Sequence, residues 1–350
     1  MRRQSDEDGT PSRTVGNFVE KEGDKLQKQQ EKKTDNILQE HSFDLEGKPQ
    51  NENENYGLSE NEASVDNKEI ENAIENYNKN IENDDLKIES SAADDFYEDT
   101  AKTVNITPDD VVVKKQKEQR STNKKKEKKF VNNTIFHVEN QKDSYTLNGY
   151  NTDQVLRRII AFLLYNNIFE DYFLHFFIDG EKSLYDSIES MFNWASDCYQ
   201  ITLDWYHLDK KCRYEISLAL NDTNYKKEVL CDLKQQLWLG NVDKAIDYIN
   251  KEIETEYIKS KSNLKRLIGY LKRNKEHIPC YALRKQLNLR NSSNKGEKQN
   301  DLIVSDRQKN NGMSWSDKGS VALATITTLL HNNEEQNWYK NEEIEFKLAC

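Results

Sequence analysis

The stretch Phe173 to His207, FLHFFIDGEKSLYDSIESMFNWASDCYQITLDWYH, decides how the rest of the chain is read. Its opening apolar run, Phe173, Leu174, Phe176, Phe177 and Ile178, is too short to span a bilayer and predicts a buried strand. The strand ends on Asp179, followed by Gly180. Leu184, Ile188, Met191 and Phe192 then fall on one helical stripe, and Tyr199 to Leu203 predicts a second strand that ends on Asp204. The result is a β-α-β unit with Asp179, Asp204 and His207 at strand ends, the edge where open α/β sheets carry their chemistry.

Charge divides the chain. Residues 1–100 hold 27 Asp and Glu against 12 Lys and Arg, while residues 101–350 hold 35 against 39. The overall charge of −11 therefore describes the first hundred residues and not the remainder. Those hundred residues are rich in Asn, Glu, Lys, Gln, Asp and Ser, too poor in apolar side chains to offset chain entropy, and are expected to be a largely disordered acidic region. An exception is Asn67 to Leu86, where Ile70, Ile74, Tyr77 and Ile81 recur at helical spacing behind an Asp66/Glu69 cap. The five cysteines form no C-x-x-C pair. A zinc knuckle or disulfide framework is thus not indicated, and reduced thiols in the cytoplasm are expected. With no signal-peptide core and no long apolar run, no membrane partner is expected.

From Thr103 the periodicity predicts strands around Val104 to Val113, Thr134 to Glu139 and Ser144 to Leu147, then a helix from Asp153 to Ile168 that leads into the β-α-β unit. After His207 come helical stripes: Leu208, Cys212 and Ile216; Val229, Leu233 and Leu237; Val242, Ile246 and Ile249; Leu264, Leu267 and Leu271. A further helix starts near Glu297, and a last apolar one, Val321 to Leu330, returns to the sheet. The fold class expected is α/β: a mixed sheet, its first part at 101–207, an all-helical insertion at 208–290, and its last part at 291–350.

Asp109, Asp179 and Glu297 occupy strand ends or the first turn of a helix, and a set of this kind suits Mg²⁺, with Mn²⁺ as substitute, because hard cations take oxygen ligands. Taken singly, an Asp at a strand end is more often a turn or cap former. Asp110, Asn300 and Asp301 are alternative ligands. The run Lys114 to Lys129 carries Lys114, Lys115, Lys117, Arg120, Lys124, Lys125, Lys126, Lys128 and Lys129, against Glu118 and Glu127. Such a run is either a solvated hairpin loop or a phosphate-binding surface, which Arg284, Lys285, Arg290 and Lys295 would extend toward Glu297. Trp205, Trp238, Trp315 and Trp338 read as core or domain-interface residues rather than stacking platforms.

An ordered series of motifs carries a family resemblance: Asp109-Asp110-Val111 with Val113 to Lys117, Tyr145 to Gly149, Phe177 to Gly180, Leu203 to Lys211, Asn291 to Ser293 with Gly296-Glu297 and Asn300-Asp301, and Arg307 to Lys309 with Gly312 to Ser316. Over about residues 103 to 347 the chain resembles bacterial insertion-sequence transposases of the DDE type. Asp204-x-x-His207 is similar to the C/D-x-x-H signature of Mutator-like transposases. The resemblance implies an RNase H-like core with a helical insertion, the metal-binding triad Asp109, Asp179 and Glu297, and Mg²⁺-dependent cleavage and strand transfer. It also implies transposon ends and target DNA as partners, a homo-oligomer, and a bacterial, nucleoid-associated location. His207 then lies near the scissile nucleotide, or else Asp204 and His207 fix the strand-to-helix corner. Two features depart from the pattern: the acidic first hundred residues stand where an end-recognition module is usual, and Pro108 precedes Asp109. A truncated or inactive copy, or a non-catalytic DNA-binding protein derived from a transposase, is the alternative.

Overall fold

The structure is a computed structural model, and it describes residues 12–51, 56–116, 129–293, 298, 301–309 and 313–348. It begins with a long helix, α1 (Ser12–Glu40), and a shorter one, α2 (Asn67–Asn78). Strands β1 (Thr103–Lys114), β2 (Phe130–Glu139) and β3 (Ser144–Gly149) follow, then α3 (Thr152–Tyr165), β4 (Phe173–Ile178), α4 (Lys182–Phe192) and β5 (Tyr199–Leu203). Five helices come next: α5 (Trp205–Ala219), α6 (Thr223–Trp238), α7 (Val242–Glu252), α8 (Lys261–Arg273) and the short α9 (Tyr281–Gln286). A π-helical run, Asp301–Lys309, precedes α10 (Asp317–His331) and α11 (Glu335–Asn341).

The expected α/β architecture is present as one mixed sheet in the order β3-β2-β1-β4-β5. Strands β1, β2 and β3 pair antiparallel, whereas β4 runs parallel to both β1 and β5. The parallel pairs are made possible by the crossover helices α3 and α4. Val104, Ile106, Phe136, Leu174, Phe176 and Ile178 line one face and pack on Val155, Ile159, Phe162 and Ile188 of those helices. Val111, Val113, Val131 and Ile135 line the opposite face, under Ile303, Val304 and Trp315. This is the alternation that a period of two imposes when both faces are covered. Helices α5 to α8 keep a separate core of Leu208, Ile216, Leu233, Ile249, Leu267 and Leu271, joined to the sheet through Leu203.

The expectation of a largely disordered N-terminal region fails over its described part. Helix α1 lies against α3 and α10, with Leu26, Ile37 and Leu38 in the main core. Much of its buried stripe is polar. Gln27, Gln30 and Thr34 are all buried, and Arg158, fully buried on α3, donates to Gln27, Gln30 and Glu31. Gln27 also donates to Thr325 of α10. Composition counts these residues as solvent-seeking, but partners from distant parts of the chain satisfy Gln27 and Gln30 in the interior. Gly23 sits where a Cβ would run into Ala322, so α1 and α10 touch closely. The helix read at Asn67 does form, capped by Asp66, and buries Ile70 against Leu283 and Leu287. Among the described residues no helix is long and apolar enough to cross a membrane.

Candidate active site

Strand β1 pairs with β4 from Thr103 beside Phe173 to Ile106 beside Phe176. Continued three residues further, that register sets Asp109 beside Asp179. Beyond Ile106 the two strands part: β1 stays paired with β2 as far as Lys114 beside Phe130, while β4 stops at Ile178. Asp109 and Asp179 line one cavity where the parallel pair opens, at the edge on which α/β sheets hold ligands. Alternation assigns the faces. Asp109 shares the side of Val111 and Val113, and Asp179 continues the side of His175 and Phe177, so the two belong to one face.

Asp110 takes the other side, where Thr134 of β2 donates to its Oδ1 at 2.5 Å. A small cavity of about 100 Å³ is lined by Asp109, Asp110, Thr134, Asp179, Glu181 and Leu184 among others. Burial, and then the charges of Glu181 and Asp179, push the Asp110 carboxyl above its ordinary range, against the Thr134 hydrogen bond. Four carboxylates at one opening make a negative site that a cation would relieve.

Asp179 is held by its own turn. Its Oδ1 accepts from Glu181 N at 2.8 Å, and its carbonyl accepts from Tyr270 Oη of α8 at 3.0 Å. Gly180 supports both contacts: its φ is +83°, and a Cβ there would lie 2.5 Å from Tyr270 Oη and 2.9 Å from Leu203 Cδ1. Only glycine accepts that backbone at that approach. The helical insertion thus reaches back to brace the acid-bearing turn.

Asp204 is 1% exposed and caps α5, accepting from Tyr206 N at 2.6 Å and His207 N at 3.2 Å. It also accepts from Ser293 N at 2.5 Å, from Ser293 Oγ, and from Ser292 Oγ at 3.3 Å. Trp205 N donates to Asn291 O at 2.9 Å, closing the same corner. Of the two sequence readings for this pair, the structural one describes Asp204: it fixes the β5–α5 corner to residues 291–293. The His207 ring meets Tyr206 edge to face at 5.6 Å.

The expected basic surface is only partly formed by the described residues. Lys114 and Lys129 are exposed at the open end of the β1–β2 pair, and Lys285 is exposed on α9. Lys115 is 2.6 Å from Asp317. Arg284 is a correction: it is fully buried, donating to Glu98 through both terminal nitrogens, and its guanidinium also donates to Arg290 O. Two carboxylate bonds and a carbonyl inside the protein outweigh the pull of solvent on this cation. Arg290 forms an ion pair with the buried Glu139. His175 completes the interior cluster, with Nδ1 2.9 Å from Glu98 Oε1 and Nε2 2.8 Å from Thr202 Oγ1. Burial disfavours the charged imidazole of His175, while Arg284 holds the Glu98 carboxyl below its ordinary range despite burial.

Glu297 and Asn300 lie outside the described residues, as do Lys117, Arg120, Lys124, Lys125, Lys126, Lys128 and Lys295. Asp301, the remaining alternative ligand, is exposed at the start of the π-helical run. Among the described residues no group of three or more His, Cys, Asp and Glu could hold a metal ion. The sequence reading missed Glu181, Thr134 and the Glu98–Arg284 pair. Glu181 had a local signal, two residues after Asp179; the others are brought in by strand pairing and by contact across the fold.

No protein-family model matches the chain, and no curated protein matches it. Among solved structures it is similar to the Drosophila P element transposase strand transfer complex, at 10% identity over 81% of this chain and 82% of that one, with a TM-score of 0.21. At that TM-score the likeness bears on neither fold nor function.

Proposed function

We propose that the chain is a metal-dependent polynucleotidyl transferase of the DDE transposase type, built on an RNase H-like core, with Asp109, Asp179 and Glu297 as its carboxylates. The observation that supports this reading is the cavity that Asp109 and Asp179 line together where β1 and β4 part. The strand order, with β1 antiparallel to β2 and parallel to β4, is the order expected of such a core. Two anchors support the inclusion of Glu297. Ser293 is tied to Asp204 at the end of β5, and Ile303 and Val304 pack under Val111 and Val113 of β1. Both anchors flank Glu297 in sequence; Ile303 and Val304 lie on the face of the sheet assigned to Asp109, and Ser293 meets the sheet at the β5 corner.

The donor types suit a hard divalent cation such as Mg²⁺, because Asp109 and Asp179 offer carboxylate oxygens and line one cavity. When bound, such ions activate a water or 3′-hydroxyl and stabilise the leaving oxygen of a phosphodiester. The chain's own part is to hold the acids. Tyr270 and Gly180 set the Asp179 turn, and β2 fixes the position of Asp109 through its pairing with Ile135. DNA is the proposed substrate, with Lys114 and Lys129 as backbone contacts that carry no sequence preference.

The test is nicking of supercoiled plasmid by the purified chain with Mg²⁺ or Mn²⁺, against EDTA. Asp179→Ala should abolish nicking and leave DNA binding in place. Full residual nicking by that variant rejects the site, and retention of plasmid without any nicking favours a non-catalytic DNA-binding protein.

A further inference from the structure

We infer that a groove between α5 and α6, separate from the carboxylates, binds single-stranded nucleic acid by stacking a base on Trp238 and pairing its phosphates with Arg213 and Lys227. The groove has a volume of about 480 Å³, within the roughly 300–1,000 Å³ of sites that take small planar ligands. Trp205 and Trp238 meet edge to face at 4.7 Å, and Tyr281 stacks behind Trp238 at 5.9 Å and 21°. Both indoles are only partly buried and line an open surface. The reading of these tryptophans as core residues therefore describes one side of each.

The charge around this aromatic floor has one sign. Arg213, Lys227 and Lys234 line the groove, and among the described residues no carboxylate does. Asp209 beneath it engages Arg213 at 2.7 Å and Lys234 at 2.8 Å, which leaves the rim positive and holds two of its cations in place. The pattern continues along α5, where Tyr206 is 45% exposed with Lys210 5.8 Å from its ring, and Tyr214 is 57% exposed. Flat π surfaces alternating with cations suit a strand whose bases are free to stack and whose backbone is anionic. A duplex keeps its bases paired and reaches only the cations. Trp205, at one end of the groove, is the first residue of α5, directly after Asp204.

The inference does not rest on the proposed catalysis, and its test is run without metal. Binding of a fluorescein-labelled oligo-dT of about 12 nucleotides, a length that spans such grooves, is followed by anisotropy in EDTA beside a hairpin duplex of the same charge. The single strand should bind at least about tenfold more tightly than the duplex. The surface variant Arg213→Glu/Lys227→Glu should weaken it by at least about tenfold. Trp238→Leu, checked by circular dichroism, should do the same, and the charge variant keeps the test decisive if that protein fails to fold. Equal or tighter binding of the duplex, unchanged binding by the charge variant, or displacement of the strand by an equal charge of poly-glutamate overturns the inference.

Discussion

Replacing Asp204 by Ala separates a corner that organises the chain from a residue that performs chemistry. The carboxylate caps α5 through Tyr206 N and His207 N, and losing an Asp cap costs about 1 kcal/mol. Its other oxygen receives Ser293 N and Ser293 Oγ inside the protein, and removing a charged acceptor from a buried donor costs about 2 kcal/mol more. The sum is about 3 kcal/mol, concentrated at the junction of β5, α5 and residues 291–293. Asp204→Asn keeps the cap but turns an amide toward the Ser293 donor, so roughly half of the loss should remain. Urea unfolding gives the free energies, and hydrogen exchange at the Ser293 amide gives the location. An unfolding free energy unchanged within about 0.5 kcal/mol, with the Ser293 amide still protected, would refute the reasoning. Nicking should fall in both variants in step with Ser293 protection. Complete loss of nicking in a fully protected Asp204→Asn protein would instead assign Asp204 a direct role.

Arg284→Met leaves Glu98 buried without its cation and should destabilise the fold by about 3–5 kcal/mol, read by urea denaturation. Because the Glu98 carboxyl is held below its ordinary value of 4.5, its stabilisation is present above that value and is lost as pH falls below it. Acid titration of the parent should therefore show a loss that Glu98→Gln lacks. Asp110 has the opposite sign. Its carboxyl is raised above the ordinary value of 3.8, so the ionised group weakens the fold as pH rises through its shifted range. In EDTA, Asp110→Asn should gain stability relative to the parent between acid and neutral pH, and a flat difference would contradict the raised Asp110 carboxyl. Gly180→Ala forces a side chain into positive φ against Tyr270 and should cost about 2 kcal/mol, with nicking reduced more than DNA binding. A variant of full stability and activity would remove the turn from the account.

The β-α-β unit was legible because each element is local. The apolar run Phe173 to Ile178 and the stripe through Ile188 and Phe192 form as read, and Asp179 and Asp204 stand at the ends of their strands. The helices after Asp204 were legible for the same reason, their apolar stripes becoming a single core. Charge misled at two places. Arg284 looked like a surface cation because its partner Glu98 is far away in sequence, and α1 looked unstructured because Gln27 and Gln30 find their interior partners on α3 and α10. A polar residue carries no mark in its own vicinity of whether a distant group will satisfy it.

Periodicity by itself determined which segments are strands, which are helices, and that acids terminate the strands of the central unit, since a period of two or 3.6 is written in neighbouring residues. Only the tertiary structure decided that Asp109 and Asp179 line one cavity, that Asp204 clamps residues 291–293, and that the N-terminal helix belongs to the core. Those outcomes depend on strand order, register and the meeting of distant polar groups, which chain neighbours do not encode.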